Sequence, residues 1–387
     1  MALARFPVDT LYYPTIVTRD AKTLARNHAV FYGIDRWQVS HLTPERLANT
    51  SLRGRARGVP PKLELMGHNR AGGEYGFLSA IGTNQNGTVS FQLVQPLGGL
   101  STFEHFLITR GTGVHGLFMS VLQYDQFAAL KQALASDGIS VAQSFTADDA
   151  ADFYYFDTRE VLGGFYVQVV VPRRADWQDA IVVDEVWDFS GEYERPAAAL
   201  PAAKTTALPH FGVVVHDVER TVGNFARLFG QPLWRGMNWR TEPGSLEDTT
   251  NNGVPVKHGY FTARGDIGKS KAGIGFGFEV IQPTFGPSHY KEDFLQVLGP
   301  GIHHIDTFFP VSDWDEWDAL NEWMAEQFGA PACMSGWLRG RLALFQYQDA
   351  REKLGYVIET HAPHPKDKPR TRAVPDYWFD FSIERVG

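Results

Sequence analysis

A histidine at position 304 stands in Gly299-Pro300-Gly301-Ile302-His303-His304-Ile305, where a glycine-rich turn leads into a short apolar run. An imidazole there can offer a neutral nitrogen to a borderline divalent ion. The segment recurs in the first half as Gly111-Thr112-Gly113-Val114-His115-Gly116, with glycine in place of the second histidine. Two carboxylates stand in comparably apolar surroundings, Glu279 in Phe278-Glu279-Val280 and Glu359 in Ile358-Glu359-Thr360. An unpaired charge on the inward face of a sheet is costly, so each carboxylate either has a partner there or lies on a solvent-facing edge. Period-2 alternation groups Glu279 with Gly277 and Ile281 and sets His303 on the face opposite His304. His210 opens a further strand, a position where a lone histidine is more often structural than chemical.

The elements that must hold these residues alternate between strand and helix signals. His210-Phe211-Gly212-Val213-Val214-Val215 reads as a strand. Asp217 then serves as N-cap for a helix running to about Phe229, which Gly230 stops. Further strands are expected at Gly259-Tyr260-Phe261-Thr262 and from Gly275 to Ile281. After Pro283 the cycle restarts with a strand from His304 to Phe309 and a helix from Trp314 to about Phe328. Strands over Arg341 to Tyr347 and Tyr356 to Glu359 complete it.

The chain also matches itself, which reads as a tandem duplication. Asp20 through Trp37 aligns with Asp217 through Trp234, pairing Asn27 with Asn224, Ala29 with Ala226, Gly33 with Gly230 and Trp37 with Trp234. Phe91-Gln92-Leu93-Val94-Gln95-Pro96 answers Phe278-Glu279-Val280-Ile281-Gln282-Pro283, and Asp157-Thr158-Arg159-Glu160 answers Asp349-Ala350-Arg351-Glu352. Each half thus carries two units of strand, helix and several strands.

Bulk properties narrow the function classes. A chain of 387 residues with 43% hydrophobic content suits two cores. We expect domains over residues 1–195 and 207–387, joined by the Pro/Ala-rich stretch from Pro196 to Lys204. A net charge of −8 offers no electrostatic footprint for nucleic acid or an anionic membrane. The single cysteine, Cys333, excludes an intramolecular disulfide framework, and no apolar run is long enough to span a bilayer. The expectation is a soluble cytoplasmic protein with a small-molecule substrate and neither nucleic-acid nor membrane partner. Homodimerisation is left open.

Together, the repeated βαβββ unit, the E-V-I-Q-P strand end, the G-x-G-I-H-H-I restart and the final Gly355-Tyr356-Val357-Ile358-Glu359 strand resemble the vicinal oxygen chelate superfamily. That group includes glyoxalases, methylmalonyl-CoA epimerase and extradiol dioxygenases. The resemblance covers roughly residues 10 to 175 and 207 to 362. It implies an α+β fold, with four βαβββ modules paired into two curved mixed-sheet domains, and a divalent metal held on the concave face. Carried over by position, the implied ligands are His210, Glu279, His304 and Glu359, whereas the first half offers Tyr13, Gln92, Gly116 and Gln168. The resemblance therefore implies a degenerate N-terminal half and a metal-binding catalytic C-terminal half. Two imidazoles and two carboxylates suit one ion of Zn, Mn, Co, Ni or Fe(II).

The number of carboxylates separates the enzymatic readings. Four protein ligands leave about two positions on the ion, enough to chelate adjacent substrate oxygens and crowded for O₂. The first expectation is accordingly a metal-dependent isomerase, epimerase or lyase of glyoxalase type working through a metal-stabilised enediolate. Glu359 is expected as the proton-transfer base ahead of Glu279. His258 and Tyr260, which share a face by period-2 spacing, are the secondary acid/base or orienting groups, ahead of Cys333. Arg339 and Arg341 are candidates to hold a carboxylate or phosphate. The alternative is an Fe(II)-dependent aromatic or 2-oxo-acid dioxygenase, and the third a metal-retaining small-molecule binding protein.

Overall fold

Asp217 shows how local sequence sets each element. Its side chain accepts the backbone N–H of Arg220 at 2.9 Å, and the helix Val218–Phe229 ends where Gly230 turns left-handed at φ 74°. The computed structural model describes residues 5–8, 10–52, 75–242, 244–270, 272–364 and 374–382.

By internal contacts the chain divides into two units. One comprises residues 1–30, 34–160 and 165–193; the other comprises 31–33, 161–164 and 194–387. In the first, the strand Tyr13–Val17, helix Ala21–Tyr32 and strands Arg36–Leu42, Gly76–Thr83 and Ser90–Gly98 form one βαβββ module. Gly113–Val121, helix Tyr124–Ser136, Val141–Ala147, Ala151–Phe156 and Tyr166–Pro172 form the next. The second unit repeats the plan. Its first module has His210–Val214, helix Val218–Phe229, Leu233–Arg240, Gly259–Lys269 and Gly275–Phe285. Its second has Gly301–Asp306, helix Trp314–Trp323, Ala332–Leu338, Ala343–Gln348 and Val357–His361.

Each pair of modules shares one mixed sheet, of ten and eleven strands among the described residues. The two opening strands of a unit lie side by side and antiparallel, and each runs parallel to the last strand of its own module. This places the ends of four strands together at the middle of each sheet, so residues far apart in sequence can meet there.

Three local readings change. Between Trp234 and Phe261, where no element was expected before Gly259, Leu246–Asn251 is a strand, paired with Ala332–Leu338 on the far side of the sheet from Leu233–Arg240. The Pro/Ala segment forms a turn, Ala197–Ala199, and a short helix, Leu200–Ala203, with Ala199 and Ala202 fully buried. Alanine's helix preference and proline's tolerance in the first helical turn override the loose linker that composition suggested. The helix from Trp314 is regular to Trp323 and widens into a π-type turn over Met324–Phe328. No helix of the described residues is long and apolar enough to cross a membrane.

The indole of each Trp that the self-comparison paired caps its sheet in the same way. Trp37 Nε1 donates to Ile34 O and Trp234 Nε1 to Gln231 O, both at 2.8 Å. Trp234 packs over Gly265 so closely that a Cβ there would come within 2.7 Å of the ring.

Candidate metal centre

One row of residues crosses five adjacent strands of the second sheet. Arg235 is in register with Arg264, Arg264 with Glu279, Glu279 with Gly212, and Gly212 with His304. His210 sits two residues before Gly212 on the same strand face, and Glu359 is in register with Asp306, two residues after His304. Alternation thus delivers His210, Glu279, His304 and Glu359 to one side of the sheet. Gly212 must be glycine for this to work, since a Cβ would lie 1.9 Å from His304 Cε1. The imidazole lies directly over the bare backbone.

His303 departs from simple alternation. The pairing with the opening strand skips it, Gly212 meeting His304 and Val213 meeting Ile302, so His303 is the extra residue of a β-bulge. It does not turn to the opposite face. The His303 and His304 rings pack edge-on with their Nδ1 atoms 3.1 Å apart, and both contact Tyr290 and Tyr347.

The four candidate ligands converge within 4.8 Å of one another. His210 Nε2 and His304 Nε2 are 3.4 Å apart and lie 2.8 and 3.2 Å from Glu359 Oε2. Glu279 Oε2 stands slightly off, 3.6 and 3.8 Å from the same two nitrogens. Metal–ligand bonds near 2.1 Å put neighbouring donor atoms about 3.0 Å apart in an octahedron and about 3.4 Å in a tetrahedron. The edges among His210, His304 and Glu359, 2.8 to 3.4 Å, lie close to that range, and those to Glu279 are somewhat longer. Glu359 Oε2 is buried beside the two imidazoles. By donor type and spacing, these residues fit a divalent ion.

Surrounding groups hold the donors in place. Asp306 Oδ2 is 2.9 Å from His210 Nδ1, the carboxylate–histidine arrangement that orients metal-ligating imidazoles. Burial and Arg264 oppose a charge on His210, yet Asp306 and Glu359 outweigh them and raise its pKa well above the ordinary value. Burial likewise disfavours the Glu359 carboxylate, but His361, His210 and His304 hold its pKa well below the usual range. Tyr347 Oη donates to Glu359 Oε1 at 2.9 Å and itself receives the Tyr290 hydroxyl at 2.6 Å. Behind His304, His303 Nε2 lies 2.8 Å from His289 Nδ1.

A cavity of about 450 Å³ opens onto Glu279 and Glu359. Tyr260 lines it, with its phenol pKa raised by burial and by the two glutamates, so the hydroxyl stays protonated near neutrality. His258 does not line it. The register slips between Gly259 and Tyr260, which breaks the alternation that grouped the two, and leaves the buried His258 ring 5.8 Å behind Tyr260. Arg339 and Arg341 are engaged elsewhere, Arg339 with Asp376 at 2.5 Å and Arg341 with Glu247 and Asp248. Cys333 is buried in the apolar core, its thiol pKa pushed up by burial.

Sequence reading missed Asp306, Tyr347, Arg235 and Arg264. Asp306 was within reach, because period-2 spacing from His304 puts it on the ligand face. Tyr347 and the arginines are visible only once cross-strand register is known.

The same registers in the first unit bring Tyr13, Gln92, Gly116 and Gln168 to the equivalent positions. Gln92 is tied into its sheet, its Oε1 accepting from Thr15 Oγ1 at 2.8 Å and its Nε2 donating to Ser79 Oγ at 2.9 Å. His115 occupies the matching bulge and stacks on Tyr166 at 4.4 Å. Among the described residues, both His/Asp/Glu groups spaced for an ion lie in the second unit.

No protein-family model and no curated protein sequence matches the chain. Solved structures do. A triple mutant of 4-hydroxymandelate synthase from Streptomyces coelicolor aligns over 92% of this chain and 94% of its own, at 12% identity and a TM-score of 0.47. BphC, a halotolerant catechol dioxygenase, aligns over 97% and 95%, at 10% identity and 0.39. Methylmalonyl-CoA epimerase from Mycobacterium tuberculosis covers 42% of this chain and 87% of its own, at 16% identity and 0.27. Its own strand order and the registers that pair its four modules give the α+β arrangement of paired βαβββ modules expected from sequence.

Proposed function

We propose that the second unit binds one divalent metal ion through His210, Glu279, His304 and Glu359, and that the chain is an enzyme moving a proton next to a substrate carbonyl. The carrying observation is the convergence of four donor atoms within 4.8 Å of one another, three of them on buried residues. Bound there, a divalent ion such as Zn, Mn, Co, Ni or Fe(II) supplies Lewis acidity that polarises the carbonyl and acidifies the adjacent C–H.

The protein's own groups divide the remaining work unequally. Glu359 is anchored by Tyr347 Oη and by its closeness to two imidazoles. Glu279 is further from both imidazoles and more open to the cavity, with 15% of its side chain exposed against 5% for Glu359. These differences favour Glu279 as the group that takes the proton, reversing the order expected from sequence. Tyr260, protonated and facing the same cavity, can donate a hydrogen bond to a substrate oxygen as charge develops there. Epimerisation, isomerisation and elimination all begin with this proton transfer.

Glu279→Gln should keep most of the metal and lose solvent-deuterium incorporation into α-hydroxyketones or 2-oxo acids by about 10² or more. Exchange at the parent rate would remove Glu279 from the role, and exchange lost only in Glu359→Gln would restore the original assignment.

A second reading rests on the same asymmetry. His210, His304 and Glu359 form a tighter set, with edges of 2.8 to 3.4 Å, and two histidines with one carboxylate are the ligand set of Fe(II) oxygenases. Iron in the purified protein together with O₂ consumption on turnover would select a dioxygenase over proton transfer.

A further inference from the structure

Arg235 and Arg264 line the cavity that opens onto the candidate metal centre, and they are direct cross-strand neighbours. Like charges opposite each other on one face of a sheet repel. Among the described residues, neither guanidinium makes an ion pair or hydrogen bond to relieve that repulsion. Asp266 lines the same cavity two residues beyond Arg264, but it is solvent-exposed and forms no ion pair with either arginine. Arg339 and Arg351 of this unit are satisfied, the first by Asp376 and the second by Asp349 at 2.6 Å. The two cationic side chains that face the cavity are left open.

Their place in the register fixes what they can reach. Arg264 stands one strand from Glu279 and Arg235 two strands away, roughly 5 and 10 Å across the sheet at ordinary strand spacing. The walls between are aromatic and apolar, built from Trp239, Tyr260, Phe345 and Met237. We infer that Arg235 and Arg264 form an anion subsite, and that the substrate is a small flat molecule with adjacent oxygens at one end and a carboxylate or phosphate-like group at the other. Two guanidiniums present paired N–H donors suited to either oxyanion. This inference deepens the metal-centre reading, because it supplies the far end of the substrate whose near end that site would hold.

Calorimetric titration of the manganese-loaded protein with 3,4-dihydroxybenzoate, the corresponding phosphonate and the neutral 3,4-dihydroxybenzamide tests it. The charged probes should bind about ten-fold or more tighter than the amide, and the stronger of the two identifies the preferred oxyanion. R235Q/R264Q should bring the charged probes down to the amide's affinity and leave the amide unchanged. R235Q alone should raise the thermal midpoint while weakening the charged probes, since it relieves the repulsion and removes half the subsite. Equal affinities of acid, phosphonate and amide in the parent protein would overturn the inference, as would undiminished acid binding in R235Q or R264Q. Repeating the titration after chelator treatment separates the two claims. An amide affinity that is the same with and without metal counts against the metal-centre reading, while a charge preference that persists there leaves the subsite standing; a preference absent in both forms removes the subsite whatever the metal does.

Discussion

At the scale of single residues, the candidate site depends on what is missing as much as on what is present. Gly212 has no side chain, and the His304 imidazole fills the space a Cβ would need. Gly212→Ala should therefore push His304 out of line and lower metal occupancy several-fold while leaving the fold intact, measurable by metal analysis alongside circular dichroism. Retained metal in that variant would mean that His304 is not held where the geometry has it. The candidate ligand types were legible in sequence through the family resemblance, with the cost of a glutamate among apolar residues as a second sign. Their division of labour was not. Which glutamate is anchored depends on Tyr347, which meets Glu359 only through the pairing of two strands. His258 was misplaced for a related reason, a register slip of the kind that leaves no composition signal.

At the scale of elements, the helix caps did what their residues dictate, and the departures at the candidate site came from a bulge and a register slip. The bulge at His303 turns two consecutive histidines to one side, and its counterpart at His115 does the same in a unit with no histidine beside it. A bulge adds one residue to one strand, so neither residue types nor alternation announce it. Helices carry a testable charge cost of their own. His28, buried in Ala21–Tyr32 against Trp37 and Phe91, has its pKa lowered by burial to about 4 despite the Leu24 carbonyl 2.9 Å from Nδ1. The unfolded chain, with an ordinary value of 6.5, binds this proton first. Stability from the neutral ring is thus complete above pH 6.5 and declines as pH falls to about 4, by on the order of 3 kcal/mol. Urea unfolding of the parent and His28→Gln across that range should show the parent losing more stability, with the difference between the two curves confined to that window. Parallel curves would contradict the burial argument.

At the scale of the whole molecule, the self-comparison and the alternating strand and helix signals made the four-module plan legible before any coordinates. The crossing of Leu246–Asn251 to the far side of its sheet was not, because edge pairing depends on which partner is unoccupied rather than on the strand's own residues. The two units keep the same registers and differ in what those registers deliver: amides, a phenol and a glycine in one, two imidazoles and two carboxylates in the other. Elemental analysis of the purified protein is the most direct test of that contrast. About one divalent ion per chain is predicted, lost in the double variant His304→Ala with Glu359→Ala and retained when Gln92 and Gln168 of the first unit are changed to alanine. An unchanged metal content in the His304/Glu359 variant, or no metal in the parent protein after incubation with Zn, Mn, Co, Ni and Fe(II), would contradict it.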